Sequence, residues 1–68
     1  MKHKTVPEVM DVRQLAAYLG MGRSKIYQLV SRAAIPGSRI GRHIRFHKVI
    51  VDEWMAKLAR EFEMRGMS

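Results

Sequence analysis

Apolar side chains recur at Val12, Leu15, Ala16 and Leu19, and again at Ile26, Leu29, Val30 and Ala33. Both sets keep the i, i+3, i+4, i+7 spacing that gathers side chains on one face of an α-helix. Only Gly20, Met21 and Gly22 stand between them. Two amphipathic helices on so short a joint must pack at a steep angle with their stripes turned inward. The pattern over residues 11–33 therefore predicts a helix-turn-helix.

Beyond the second helix, Ile35-Pro36-Gly37 breaks the helical period. Ser38-Arg39-Ile40 and Ile44-Arg45-Phe46 then alternate polar and apolar about Gly41-Arg42-His43. This predicts a short β-hairpin with Ile40, Ile44 and Phe46 inward and Arg39 and Arg45 outward. From His47 to Arg65 the helical period returns, with Val51, Trp54, Met55, Leu58 and Phe62 on one side. Glu53 with Lys57, and Glu61 with Arg65, form i, i+4 pairs in the favourable orientation. Ile50, Val51 and Trp54 are expected to close the core against the first two helices. Such a helix reaches about 28 Å at 1.5 Å per residue, more than a small body needs. Leu58 and Phe62 thus either fold back onto the body or stand free for a partner.

Residue chemistry fixes the helix ends. Asp11 can accept from the orphan amides of the first turn, and Gln14 can reach back in a capping box. Met10 with Leu15 forms a hydrophobic staple across that cap, and Met21 with Ile26 a second one. Gly20 suits the left-handed conformation that ends the first helix. Gly22 stands where the second helix takes its cap, with no side chain to supply it. The expected fold is mainly α with a small β-hairpin: a winged helix-turn-helix with a longer C-terminal helix. Residues 1–9 are expected to be a flexible basic arm, 10–65 the domain, and 66–68 a disordered tail.

Charge gives this scaffold a direction. The net charge is +7 over 68 residues, with ten basic residues against Glu8 and Asp11 in the first 48 positions. Beyond them three basic residues meet four acids. A basic front with a near-neutral tail points to a polyanion partner. The outward side of the second helix carries Arg23, Ser24, Lys25, Tyr27, Gln28, Ser31 and Arg32, none of them acidic. In helix-turn-helix proteins the start of the second helix meets base edges in the major groove. Arginine there can pair with guanine and glutamine with adenine. The hairpin adds Arg39, Arg42, His43 and Arg45. Arginines on such a wing can grip phosphates or enter a narrow minor groove.

Other chemistry is not expected. The chain has no cysteine, which excludes disulfides and thiolate metal sites within it. A domain of this size buries only about 60% of its unfolded surface and has little room for an enclosed catalytic pocket. His43 and His47 are four apart on a predicted strand, about 13 Å along it, too far to share a metal. Gly20-Met21-Gly22 lacks the third glycine and preceding strand of a dinucleotide loop. No apolar run approaches the roughly 20 residues of a membrane span. An enzyme is not expected, nor a cofactor, a metal, a small-molecule substrate or a membrane partner; the expected location is the cytoplasm, in association with the nucleoid.

The run from Met10 to Met55 resembles the excisionase-type helix-turn-helix domain, a small relative of the MerR-type winged helices. The resemblance rests on Leu15-Ala16-Ala17-Tyr18-Leu19-Gly20-Met21, Arg23-Ser24-Lys25-Ile26-Tyr27, Ile35-Pro36, Arg39-Ile40-Gly41-Arg42, Arg45-Phe46 and a helix reaching Trp54. It implies a module that binds double-stranded DNA through its second helix and wing. Arg23, Ser24, Tyr27 and Gln28 would face the groove, and Arg42 with its neighbours would form the wing. Members of that family look like recombination directionality factors of integrating elements, with an integrase or a second copy on repeated sites as partner. Others resemble transcription regulators with the same contacts. The chain departs from the family at Gly22, usually serine or threonine, and in its longer tail. Different classes compatible with the composition are an RNA-binding basic domain and a protein-interaction adaptor working through Leu58 and Phe62.

Overall fold

The computed structural model describes residues 6–66, with side chains described through residue 62. Six elements follow in order: β1 (Val9–Met10), α1 (Val12–Leu19), α2 (Arg23–Ser31), β2 (Ser38–Ile40), β3 (His43–His47) and α3 (Lys48–Gly66). The helix-turn-helix, the hairpin and the long third helix are all present, as the hydrophobic pattern predicts.

Both helix ends of the joint follow from local chemistry. The Gln14 amide donates to the Asp11 carboxylate at 2.8 Å, and the Asp11 amide donates to Gln14 Oε1 at 2.9 Å. This closes the capping box and satisfies two orphan donors of α1. Gly20 takes φ 69°, and the Met21 amide reaches back to the Ala16 carbonyl at 2.9 Å. This is the left-handed stop that glycine adopts without a Cβ penalty. α2 starts from an extended Gly22 with no side-chain cap. It ends at Ser31, two residues short of the predicted boundary, because Ala33 turns left-handed at φ 53°.

The core gathers from every element but β2. Met10, Leu15, Ile26, Phe46 and Val51 are fully buried, with Val12, Ala16 and Ile35 nearly so. Tyr18, Leu19, Leu29, Val30, Ile44 and Trp54 pack around them, half-buried. Ile50 is expected in the core but stays 46% exposed, so Val51 and Trp54 close it without Ile50. Met21 remains exposed on the joint while its proposed staple partner Ile26 is fully buried.

The sheet holds two corrections. Its order is β1-β3-β2, all antiparallel, with Val9 opposite His47 and Met10 opposite Phe46. Val9, expected in a flexible arm on sequence grounds, is thus an edge strand, and the Lys48 amide donates to the Glu8 carbonyl at 2.8 Å. Residues 1–5, with Lys2 and Lys4, lie outside the described residues, as do residues 67–68 of the expected tail.

In the hairpin, Ile40 pairs with His43, Arg39 with Ile44 and Ser38 with Arg45. The turn is therefore the two residues Gly41-Arg42, and not the three residues Gly41-Arg42-His43. Gly41 has φ 63° and Arg42 does not share the positive φ, the pattern of a type II′ turn. Shortening the turn by one residue flips the faces of β2 relative to β3. Ile44 and Phe46 point inward as expected, but Ile40 does not: it is 66% exposed. Arg39 likewise leaves the face of Arg45 and joins that of Ile44.

α3 projects past the body. Met55, Leu58 and Phe62 are 44%, 47% and 76% exposed, so they do not fold back onto it. Among the described residues the ion pair is Lys48 with Asp52, at 2.9 Å. Glu53 and Lys57 do not close to ion-pair distance, and the Arg65 side chain is outside the described set.

Candidate nucleic-acid interface

The joint holds α2 with only Ile26 fully buried, which leaves its other side to solvent. Arg23, Ser24, Lys25, Tyr27, Gln28 and Arg32 are all exposed there. Ser31 is exposed too, but its hydroxyl donates back to the Gln28 carbonyl at 3.0 Å and serves its own helix.

The start of α2 does not stand alone. Together with the start of α1 and the hairpin it walls an open groove of about 290 Å³. Arg23 and Tyr27 come from α2, Arg42, His43 and Arg45 from the hairpin, and Arg13 from α1. The single acid on the lining is Asp11, whose carboxylate is engaged by the Gln14 amide. Arg45 is held in place by donating from its guanidinium to the Ile44 carbonyl at 2.9 Å. Five of the ten predicted binding residues thus converge across the space between the second helix and the wing. Ser24, Lys25, Gln28 and Arg32 continue the exposed surface of α2 beyond it.

Arg39 does not converge. It lines a separate concavity with Val30, Ala33, Ile35 and Ile44, on the opposite face of the hairpin from Arg45. The cause is the two-residue turn, which places Arg39 beside Ile44.

Arg13 is absent from the residues that the sequence pattern singles out, yet it belongs to the groove. A signal for it exists in the chain. Neither α1 nor α2 carries an acid in its first turn; Arg13 lies in that of α1, Arg23 and Lys25 in that of α2. Helix N-termini carry partial positive charge and favour anions, so cations there work against local stability. Such unfavourable placement at the starts of two helices bordering one groove makes sense for an anionic ligand. Backbone amides and guanidinium groups then attract it together.

Among the described residues no group of three or more His, Asp or Glu side chains could hold a metal ion. Among them, too, no helix is long and apolar enough to cross a membrane.

Residues 9–59 match the model of a helix-turn-helix domain family. A relative named "Probable excisionase", from Saccharopolyspora erythraea, is 38% identical over 50 residues, covering 74% of this chain. The chain spans about half the length of that relative, 51%. No solved structure matches the chain.

Proposed function

The chain belongs to the helix-turn-helix domain family, and from that premise we propose that it is an excisionase-like factor that binds double-stranded DNA. The start of α2 enters the major groove, where Arg23 and Gln28 contact base edges. The hairpin acts as a wing, with Arg42 on backbone or minor groove. His43 and Arg45 line the cleft between the two elements, and Arg13 adds a phosphate contact from α1. The observation that carries this reading is the groove itself, which joins α1, α2 and the hairpin into one basic surface. The family is a DNA-binding, non-enzymatic kind of protein, in keeping with a site built of cations.

A role in recombination is favoured over transcription regulation by the likeness to the probable excisionase of Saccharopolyspora erythraea. An integrase partner belongs to that role. The exposed Met55, Leu58 and Phe62 on α3 support a second copy bound at an adjacent site as a further partner.

Competition titration at one salt concentration tests the nucleic-acid class. An α-helix fits the B-form major groove and not the deep, narrow A-form one, so duplex DNA should compete better than duplex or single-stranded RNA. Equal or better competition by RNA would sink the proposal.

A further inference from the structure

Ile40 is the apolar residue most out of place on the wing. It lies immediately before the Gly41-Arg42 turn and is 66% exposed. Its cross-strand partner is His43, and the next pair along the same face is Ser38 with Arg45. Paired residues in an antiparallel ladder project from one side of the sheet. Ile40 therefore projects from the side of the hairpin that carries His43 and Arg45, two residues of the basic groove. The opposite side carries Ile44 and Phe46, which meet the core. A bare isoleucine thus stands on a basic surface, next to Arg42 at the tip.

We propose that Ile40 is a wedge that enters the minor groove and partly unstacks one base step of bound duplex DNA. The inference rests on the DNA-binding reading and adds a mechanical role for one residue. Isoleucine is among the apolar side chains that pry base steps apart in minor-groove complexes and kink the duplex toward the major groove. Its β-branched side chain is stiff at χ1, so little rotamer freedom is lost on insertion. Position matters equally. A wedge must stand at the most advanced point of the protein, and Ile40 closes the strand at the wing tip. Arg42 beside it supplies the charge that holds the flanking phosphates. Pyrimidine–purine steps unstack most readily, so the wedge confers a preference for such a step without hydrogen bonds to its bases.

The test uses the full chain and a duplex selected by it from a random-sequence pool. End-labelled duplexes report bending by energy transfer, and 2-aminopurine placed at successive steps under the wing reports unstacking. For the unsubstituted protein the expected results are a bent duplex and a fluorescence rise at one step. Ile40→Ala should keep the melting temperature, because the side chain is exposed, and keep the selected sequence preference at the α2 contacts. It should lose the fluorescence rise, straighten the duplex and bind several-fold more weakly. Equal bending and equal fluorescence with both proteins would overturn the wedge. So would an Ile40→Ala affinity loss that disappears when thymine is replaced by uracil, since that marks contact with a methyl group in the major groove. Failure to select any duplex would instead count against the DNA-binding reading.

Discussion

The Tyr18 hydroxyl donates to the Asp52 carboxylate at 2.5 Å, linking α1 to α3 across 34 positions of sequence. Lys48 completes the cluster, 2.9 Å from the other carboxylate oxygen and 5.6 Å from the centroid of the Tyr18 ring. α2 rests on α1, so this link also fixes α3 relative to the face proposed to bind DNA.

The cluster makes stability depend on pH. The Lys48 ammonium first, and then the Tyr18 hydroxyl, stabilise ionised Asp52 and hold its carboxyl below the ordinary carboxylate value. A depressed carboxyl pKa contributes stability that is full above the unfolded value and is lost as pH falls through the folded one. Lys48 is raised by its hydrogen bond to Asp52, and Tyr18 likewise, so their share is lost only as pH rises past their raised values. Asp52→Asn should therefore melt below the unsubstituted protein from mildly acidic to mildly alkaline pH. The gap should close at strongly acidic pH and shrink in high salt, since the Lys48 and Asp52 side chains are 35% and 40% exposed. Melting curves across pH and salt check this; a gap that widens in acid would contradict it.

The two helices of the joint end in the same way with different residues. After α1, the Gly20 amide meets the Ala17 carbonyl and the Met21 amide the Ala16 carbonyl. After α2, the Ala33 amide meets the Val30 carbonyl at 3.0 Å and the Ala34 amide the Leu29 carbonyl at 2.8 Å. Each is a Schellman stop with a left-handed residue, but at Ala33 that residue carries a Cβ. Ala33→Gly should stabilise the fold by about 1 kcal/mol, and Gly20→Ala should destabilise it by about as much. A Cβ at Gly20 meets nothing within 4 Å, so that loss is conformational alone. In a domain of this size each change should move Tm by roughly 4–8 °C. Opposite shifts in a thermal scan are the expected result.

Phe62 separates packing from partnership. At 76% exposed it contributes little to the core, so Phe62→Ala should change stability by no more than about 0.5 kcal/mol. If a second copy covers it, the same substitution should reduce cooperative binding to duplexes with repeated sites. Melting curves and binding isotherms on one-site and two-site duplexes distinguish the outcomes. A clear drop in Tm with unchanged cooperativity would rule the α3 face out as a contact.

What the sequence discloses here tracks how local each determinant is. The capping box at Asp11, the stop at Gly20 and the stripes that carry Leu15, Ile26 and Val51 are each set by residues within a few positions of one another. All are legible in the residues themselves. The strand at Val9–Met10 is not, because two residues show no alternation and their partner β3 lies far along the chain. The exposure of Ile40 is hidden by one residue of turn length: Ile40 and Ile44 share a face across a three-residue turn and part across two. Arg13 is only half legible: its place in the first turn of α1 is a local signal, but its place in the groove comes from the approach of α1 to the hairpin, which no local pattern records. The exposed residues on α2 are legible since a helix fixes its outward face from its own period.

The two elements proposed to contact DNA should differ in what they cost when cut back. Gln28 is exposed on α2 and is proposed to pair with a base, whereas Arg42 sits in the wing turn and is proposed to meet backbone or minor groove. Loss of a paired base contact typically costs about 1–3 kcal/mol and relaxes preference at that position. Loss of a phosphate contact weakens all sequences alike and lowers the salt slope by about one unit, because one fewer counterion is released. Gln28→Ala should then narrow the gap between a selected and a scrambled duplex. Arg42→Ala should keep most of that gap and flatten the salt dependence. A salt series of affinities on both duplexes, with both variants, provides the comparison. If Gln28→Ala weakens the two duplexes equally, α2 does not read bases through that residue. If Arg42→Ala leaves the salt slope unchanged while altering sequence preference, the wing senses minor-groove shape instead, since a narrow groove concentrates negative potential on the arginine that enters it.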